Sequence, residues 1–180
     1  MDHFESDQEQ QQRILPLKGL IMDVDGVLTE GRIIINDRGE ESKNFYVRDG
    51  HGIKLLKRSG FRLALLTGRQ SQAVEHRAKE LGIDTIFQQI HDKIAAYEQI
   101  KAIFSLTDQQ LCYVGDDLVD IPVLRKVGFA ATVADGIPEL DDVIHWRAHY
   151  PGGGGAIREL CELILRSQGA WSQLTQRYFG

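Results

Sequence analysis

"LIMDVDGVLTEG", residues 20–31, runs an apolar stretch into two aspartates two residues apart and follows them with glycine. On an extended chain, residues i and i+2 lean toward one side. Asp23 and Asp25 therefore point together where the strand leaves the core. Two carboxylates so placed repel each other unless a cation, a shared proton or a donor offsets the charge. The remainder of the chain has to supply that offset.

Outward from this stretch, apolar runs alternate with amphipathic ones. "LKGLIMDV", "FRLALLTG", "QLCYVGDD" and "FAATVAD" are near-continuous hydrophobic runs and predict buried strands, with "DTIFQQI" a short strand and "DDVIHWRA" an edge strand. "GHGIKLLKRSG", "SQAVEHRAKELG", "DKIAAYEQIKAIF", "LVDIPVLRKVG" and "AIRELCELIL" predict helices. Strands apolar on both faces, alternating with helices, predict an α/β fold: a doubly wound parallel sheet. Residues 31–48 place β-branched and aromatic residues on either side of Asp37-Arg38-Gly39, which predicts a β-hairpin flap after strand 1. The intervals from Asp23 to Thr67 and from Thr67 to Lys93 hold one or two elements each and leave no room for a cap domain.

Residues 1–15, polar and glutamine-rich, predict a flexible N-terminal tail, and 16–180 a single domain. A net charge of −5 carries no nucleic-acid footprint. No run approaches the roughly 18 apolar residues of a membrane span, and the polar N-terminus offers no apolar signal region. Cys112 and Cys161, far apart in apolar runs, read as buried thiols. A cytoplasmic protein is expected.

In doubly wound sheets, ligands bind beyond the C-terminal strand ends. There stand Asp23 and Asp25, then Thr67, Gly68 and Arg69, then Lys93 opening a helix, then Asp116, Asp117 and Asp120. Each has a plain structural alternative: an Asx turn, a helix cap, a solvated lysine, an acidic first helical turn. Their coincidence at successive strand ends favours a site. Clustered carboxylates suit Mg²⁺, which takes oxygen ligands. The six histidines show no ligand spacing with either cysteine. A carboxylate nucleophile, a hydroxyl, a lysine and Mg²⁺ make a phosphoryl-transfer set. Asp23 would attack phosphorus, with Thr67 and Lys93 on the equatorial oxygens. Asp25 would protonate the leaving alkoxide and then deprotonate the attacking water.

D-V-D-G-V-L-T at 23–29, L-L-T-G-R at 65–69, Lys93 and G-D-D-x-x-D at 115–120 resemble the four motifs of haloacid-dehalogenase-like phosphatases. "FYVRDGHGI" at 45–53 and "GAIREL" at 155–160 further resemble the 3-deoxy-D-manno-octulosonate 8-phosphate phosphatases. The resemblance spans residues 17 to about 168. It implies hydrolysis of that sugar-acid phosphate in lipopolysaccharide precursor synthesis, with Mg²⁺ and a homotetramer. It implies metal ligation by Asp23, by the backbone carbonyl of Asp25 and by Asp116. It implies substrate contacts at Asp25, Tyr46, Val47, Arg48, Asp49, Gly50, Lys54, Arg69, Arg77 and Lys93. Lys54 and Gly154 stand where arginine is common, so phosphatases of nonulosonate 9-phosphates, which share the scaffold, are the alternative. A signalling receiver domain also combines aspartates, threonine, lysine and Mg²⁺, but in a different motif order. A silent assembly module on this fold would not need Asp23, Asp25, Lys93 and Asp116 together.

Overall fold

The computed structural model describes residues 7–179. Its centre is a six-stranded parallel sheet: β1 (Gly19–Met22), β4 (Arg62–Leu66), β5 (Thr85–Phe87), β6 (Leu111–Gly115), β7 (Phe129–Thr132) and β8 (Trp146–Arg147). The spatial order is β5-β4-β1-β6-β7-β8, with Gly19 beside both Arg62 and Leu111. Alternation of side chains along a strand explains why the runs are apolar throughout. Leu20 and Met22 of β1 face one core layer, with Leu65, Cys112 and Val114, while Ile21 faces the other with Leu66 and Tyr113.

The first layer is closed by α2 (Val47–Arg58), α3 (Gln72–Leu81) and α6 (Ala156–Ser167), which contribute Ile53, Leu56, Val74, Ala78, Leu160 and Ile164. The second is closed by α4 (Lys93–Phe104) and the single turn α5 (Ile121–Leu124), through Tyr97, Ile100, Val123 and Leu124. The chain winds outward from β1 through β4 to β5, crosses to β6 and continues to β8. The winding direction therefore reverses between β1 and β6, which opens a crevice beyond their C-terminal ends.

Three expectations change. Residues 7–14, expected in a tail, form helix α1 (Asp7–Ile14). Glutamine, glutamate and arginine are good helix formers, and the end of this helix is pinned: Ile14 is fully buried against the core. The Gln168 amide donates to the carbonyls of Ile14 (3.0 Å) and Leu17 (2.9 Å). The expectation for residues 1–6 lies outside the described residues.

The hairpin is shorter than 31–48. Its strands are β2 (Ile34–Ile35) and β3 (Glu41–Ser42), antiparallel, around a turn in which Asn36 Oδ1 accepts from the backbone of Arg38 and Glu40. Val47 and Arg48 already belong to α2. Phe45 packs on the core just before it, and Asp49 in the first turn favours the helix dipole. Gly50 and Gly52 are sites of close approach rather than helix breakers: a Cβ on Gly52 would lie 3.1 Å from Arg158 Cα.

The helix expected over "LVDIPVLRKVG" is reduced to the turn Leu118–Asp120 followed by α5, with a proline in its first turn. The last turns, α7 (Trp171–Thr175) and Gln176–Tyr178, close the described chain. Between β1 and α2 the described residues hold only the two-stranded hairpin, and between β4 and β5 only α3. Among the described residues no helix is long and apolar enough to cross a membrane.

Candidate active site

The crevice at the sheet's switch point is a cleft of about 290 Å³. Asp23 and Asp25 line it from the loop after β1, Thr67, Gly68 and Arg69 from that after β4, Asp116 and Asp117 from that after β6. Lys93, the first residue of α4, enters from the fourth side, and Ile90, His91 and Val119 complete the walls.

Lys93 organises the floor. Its Nζ donates to Asp23 Oδ2 at 2.7 Å and to Asp120 Oδ1 at 2.6 Å, and its side chain is almost fully buried. A lysine at a helix N-terminus opposes the dipole; here two carboxylates offset that penalty. Burial alone would lower its pKa, but the charges of Asp23 and Asp120 hold it above the ordinary lysine range. It stays a cation.

Asp120, fully buried, positions the others. Its Oδ1 also accepts from the Tyr113 hydroxyl at 2.5 Å, and its Oδ2 accepts the backbone N–H groups of Asp116 (2.9 Å) and Asp117 (3.2 Å). Burial and the neighbouring carboxylates push the Tyr113 phenol far up, so it remains a neutral donor. The loop carrying Asp116 is thereby tied to the residue that holds Lys93.

Asp23 also accepts from the Val24 N–H at 2.6 Å. Burial raises its pKa to about 6 despite Lys93. Burial, and then the charges of Asp23 and Asp120, raise Asp116 to about 7. Asp23, Asp116 and Asp120 each present an oxygen within 4.8 Å of the others. Each oxygen of Asp120 already takes two donors, whereas each oxygen of Asp23 takes one, so the remaining acceptor capacity lies on Asp23 and Asp116. Crowded, desolvated carboxylates with only oxygen donors fit a hard divalent cation. Close approach is secured at Gly26 (φ +88°), where a Cβ would lie 2.0 Å from Asp116 Oδ2.

Thr67, buried, is fixed through its backbone: its N–H donates to Phe87 O and its carbonyl accepts from Ile90 N–H. On the open side, the Asp25 carboxylate is ion-paired to Lys43, which also meets Glu41 at 2.7 Å. Glu41 in turn accepts from Arg69 at 2.6 Å.

The haloacid dehalogenase-like hydrolase model matches residues 46–128. The chain is 43% identical over 157 residues to the 3-deoxy-D-manno-octulosonate 8-phosphate phosphatase of Yersinia pestis, covering 87% of this chain and 84% of that one. The chain belongs to this phosphatase family. Its fold superposes on the Moraxella catarrhalis member, solved with a magnesium ion, a phosphate ion and Kdo, with a TM-score of 0.93 at 40% identity. That match covers 96% of this chain and 99% of the other. The cobalt-bound Haemophilus influenzae family member gives a TM-score of 0.86 at 36% identity, over 89% of this chain and 95% of that one.

The structure gathers Asp23, Asp25, Thr67, Arg69, Lys93 and Asp116 into one cleft. It places the other expected substrate contacts elsewhere. Tyr46 and Arg48 line a separate cleft of about 480 Å³ with His51, Tyr150 and Arg158. Val47 stands in solvent, 78% exposed. Lys54, on α2, lines neither of these clefts. Arg77 lies over the Phe45 ring and pairs with Glu80 at 2.8 Å, with Gly50 beneath it, where a Cβ would meet the guanidinium at 2.1 Å. Asp49 is 1% exposed, and its Oδ1 accepts from Arg158 N–H at 2.7 Å, so it caps the N-terminus of α6. Sequence reasoning gave no role to Asp120, although its spacing in G-D-D-x-x-D signalled it. It missed Tyr113, hidden in a strand, and Lys43 and Glu41, hidden in the hairpin.

Proposed function

We propose that this chain hydrolyses 3-deoxy-D-manno-octulosonate 8-phosphate to the free sugar acid and phosphate through an aspartyl-phosphate. The observation that carries the mechanism is Lys93 bridging Asp23 and Asp120 at the switch point, beside Thr67 and Asp25.

Asp23 is the nucleophile. A carboxylate oxygen forms a bond to phosphorus as the bond from phosphorus to the sugar oxygen breaks. Lys93 holds the Asp23 carboxylate in place, and with the Thr67 hydroxyl it offers positive charge and a hydrogen bond to the equatorial oxygens. Asp25 gives its proton to the departing alkoxide. It then takes one from the water that attacks the aspartyl-phosphate, so Asp23 is regenerated and phosphate released. Asp23, Asp116 and the Asp25 carbonyl would hold Mg²⁺, which supplies charge neutralisation for the phosphoryl group when bound.

The assembly reading is a homotetramer. Ile33, Ile34 and Ile35 on the hairpin are 61%, 42% and 59% exposed, and Val47 follows on the start of α2. A two-stranded ribbon cannot bury such a surface by itself. Copies packed hairpin to hairpin would cover it. A neighbour's residues, drawn from Tyr46, Val47, Arg48, Lys54 and Arg77, would then complete the site that a single chain leaves open.

Steady-state phosphate release from a panel of sugar-acid phosphates tests the reading. The octulosonate 8-phosphate should give the highest kcat/KM, and Asp23→Asn should abolish turnover with the fold intact. Near-native turnover by Asp23→Asn would overturn the covalent route, and preference for a nonulosonate 9-phosphate would reassign the substrate.

A further inference from the structure

Lys43 lies just beyond β3, on a hairpin whose isoleucines stand in solvent, yet its own side chain is only 3% exposed. Burying an ammonium group costs free energy unless charges and hydrogen bonds offset it. Two do. Its Nζ is ion-paired to Asp25 Oδ1 and to Glu41 Oε1, the latter at 2.7 Å. Glu41 Oε2 accepts from Arg69, which follows the Thr67-Gly68 pair in the loop after β4. Hydrogen bonds from Lys43 and Arg69 hold the Glu41 carboxyl below its ordinary range, so it stays anionic. The result is a chain of alternating charge, Asp25–Lys43–Glu41–Arg69, which ties the hairpin to two catalytic loops.

The site thus uses two lysines on two aspartates. Lys93 holds Asp23, and Lys43 holds Asp25. The Asp25 carboxylate stands at the rim of an open cleft, about a quarter exposed. Its side chain would be free to change rotamer without a fixed partner. A proton donor has to sit within hydrogen-bond reach of the leaving oxygen when that bond breaks.

We propose that Lys43 is a positioning residue for the hydrolysis: it fixes the side-chain orientation of Asp25, and so makes the hairpin part of the proton-transfer apparatus. The proposal rests on Asp25 being the acid/base residue. Lys43 touches no reacting atom itself. Glu41 holds Lys43, and Arg69 holds Glu41.

Leaving-group dependence tests this without confusion from sugar binding. The kcat/KM value covers every step through departure of the first product. A p-nitrophenolate leaves without a proton, whereas phenolate and alkoxide benefit from one. Across aryl phosphates of increasing phenol pKa, Lys43→Met should therefore lose progressively more. Expected is a change within about threefold for p-nitrophenyl phosphate and a loss of about 10²-fold for the octulosonate 8-phosphate, in the range of one general-acid contribution. Lys43→Arg should recover part of the loss. Retained p-nitrophenyl phosphatase activity also shows that the variant folds.

An equal loss on every aryl phosphate would mean a merely structural role and overturn the proposal. So would a loss confined to the sugar phosphate with an unchanged aryl series, which would make Lys43 a substrate contact. Asp25→Asn is the control. If it steepens the aryl dependence and Lys43→Met does not, the positioning role fails alone. If neither does, the acid/base reading of Asp25 fails with it.

Discussion

Gly152 lies against Gly26 so closely that a Cβ on Gly152 would stand 1.8 Å from the Gly26 carbonyl oxygen. Gly26 in turn leaves no room for a Cβ of its own beside Asp116. The run Gly152–Gly155 is therefore a brace under the loop that carries Asp23 and Asp25. Two bonds hold it: Gly153 N–H donates to Val27 O at 2.9 Å, and Gly152 N–H to Asp135 Oδ1 at 2.9 Å. Gly152→Ala has to push the loop of Asp23 and Asp25 or itself aside. A strain of about 1–3 kcal/mol is expected, with kcat lowered at least about tenfold because small misplacements are costly in phosphoryl transfer. Thermal melts and kcat on one preparation check this; wild-type kcat would separate the glycine run from the site.

Asp120 accepts four hydrogen bonds, from Lys93, Tyr113 and two backbone amides. Asparagine offers one acceptor oxygen in place of two and carries no charge. Asp120→Asn should leave buried donors unmet and lower stability by about 2–4 kcal/mol. It should also reduce kcat more than KM, because Lys93 and the Asp116 loop lose their common anchor. Denaturant melts with steady-state kinetics test it. A variant of normal stability and rate would remove Asp120 from the organisation of the site.

Asp23 and Asp116 titrate near 6 and 7 in the metal-free chain, above their ordinary value. A carboxyl with a raised folded pKa binds its proton more tightly when folded. Its contribution to stability is full below the unfolded pKa near 4 and is lost as pH rises through 6 and 7. Lys93, whose pKa is raised from an already basic value, contributes evenly across that window. Without metal, the melting temperature should fall between pH 5.5 and pH 8 by about 3–6 °C, corresponding to about 1–2 kcal/mol. Mg²⁺ should restore it at pH 8 and add less at pH 5.5, where protons compete for the same oxygens. Equal Mg²⁺ stabilisation at both pH values would place the cation elsewhere.

The sheet was legible because both layers draw on one strand: Leu20 and Met22 face one and Ile21 the other, and such apolar runs alternating with helices fit a buried parallel sheet. The cleft was legible for the same reason, since polar residues at strand ends stand out against such runs. What local sequence hides is contact across distance. Tyr113 reads as one more core residue of β6, and only the fold brings its hydroxyl to Asp120. Lys43 reads as a polar residue of a surface hairpin until the hairpin folds back over Asp25. Asp49 stands in the stretch FYVRDG, and only the fold shows that α6, more than a hundred residues later, starts over it. The helix over 7–14 forms because the helix propensity of glutamine and glutamate prevails over a polarity that by itself reads as a tail.

The proposed assembly role of the hairpin rests on exposed area. Ile33, Ile34 and Ile35 stand in solvent on a ribbon held by only two residue pairs, Ile34 with Ser42 and Ile35 with Glu41. So short a ribbon has little stability of its own. It is, however, the element that carries Lys43 and Glu41 to the cleft. Packing against copies of itself would bury the isoleucines, fix the ribbon and hold Lys43 on Asp25. Ile34→Glu would place a charge in that interface and should dissociate the proposed homotetramer into smaller species. It should lower kcat/KM for the octulosonate 8-phosphate at least about tenfold, and less for p-nitrophenyl phosphate, which needs neither neighbouring contacts nor a well-held acid. Light scattering coupled to size exclusion, with kinetics on the same fractions, measures both. A wild-type chain that is monomeric and fully active would leave the phosphatase chemistry standing and remove the assembly from it.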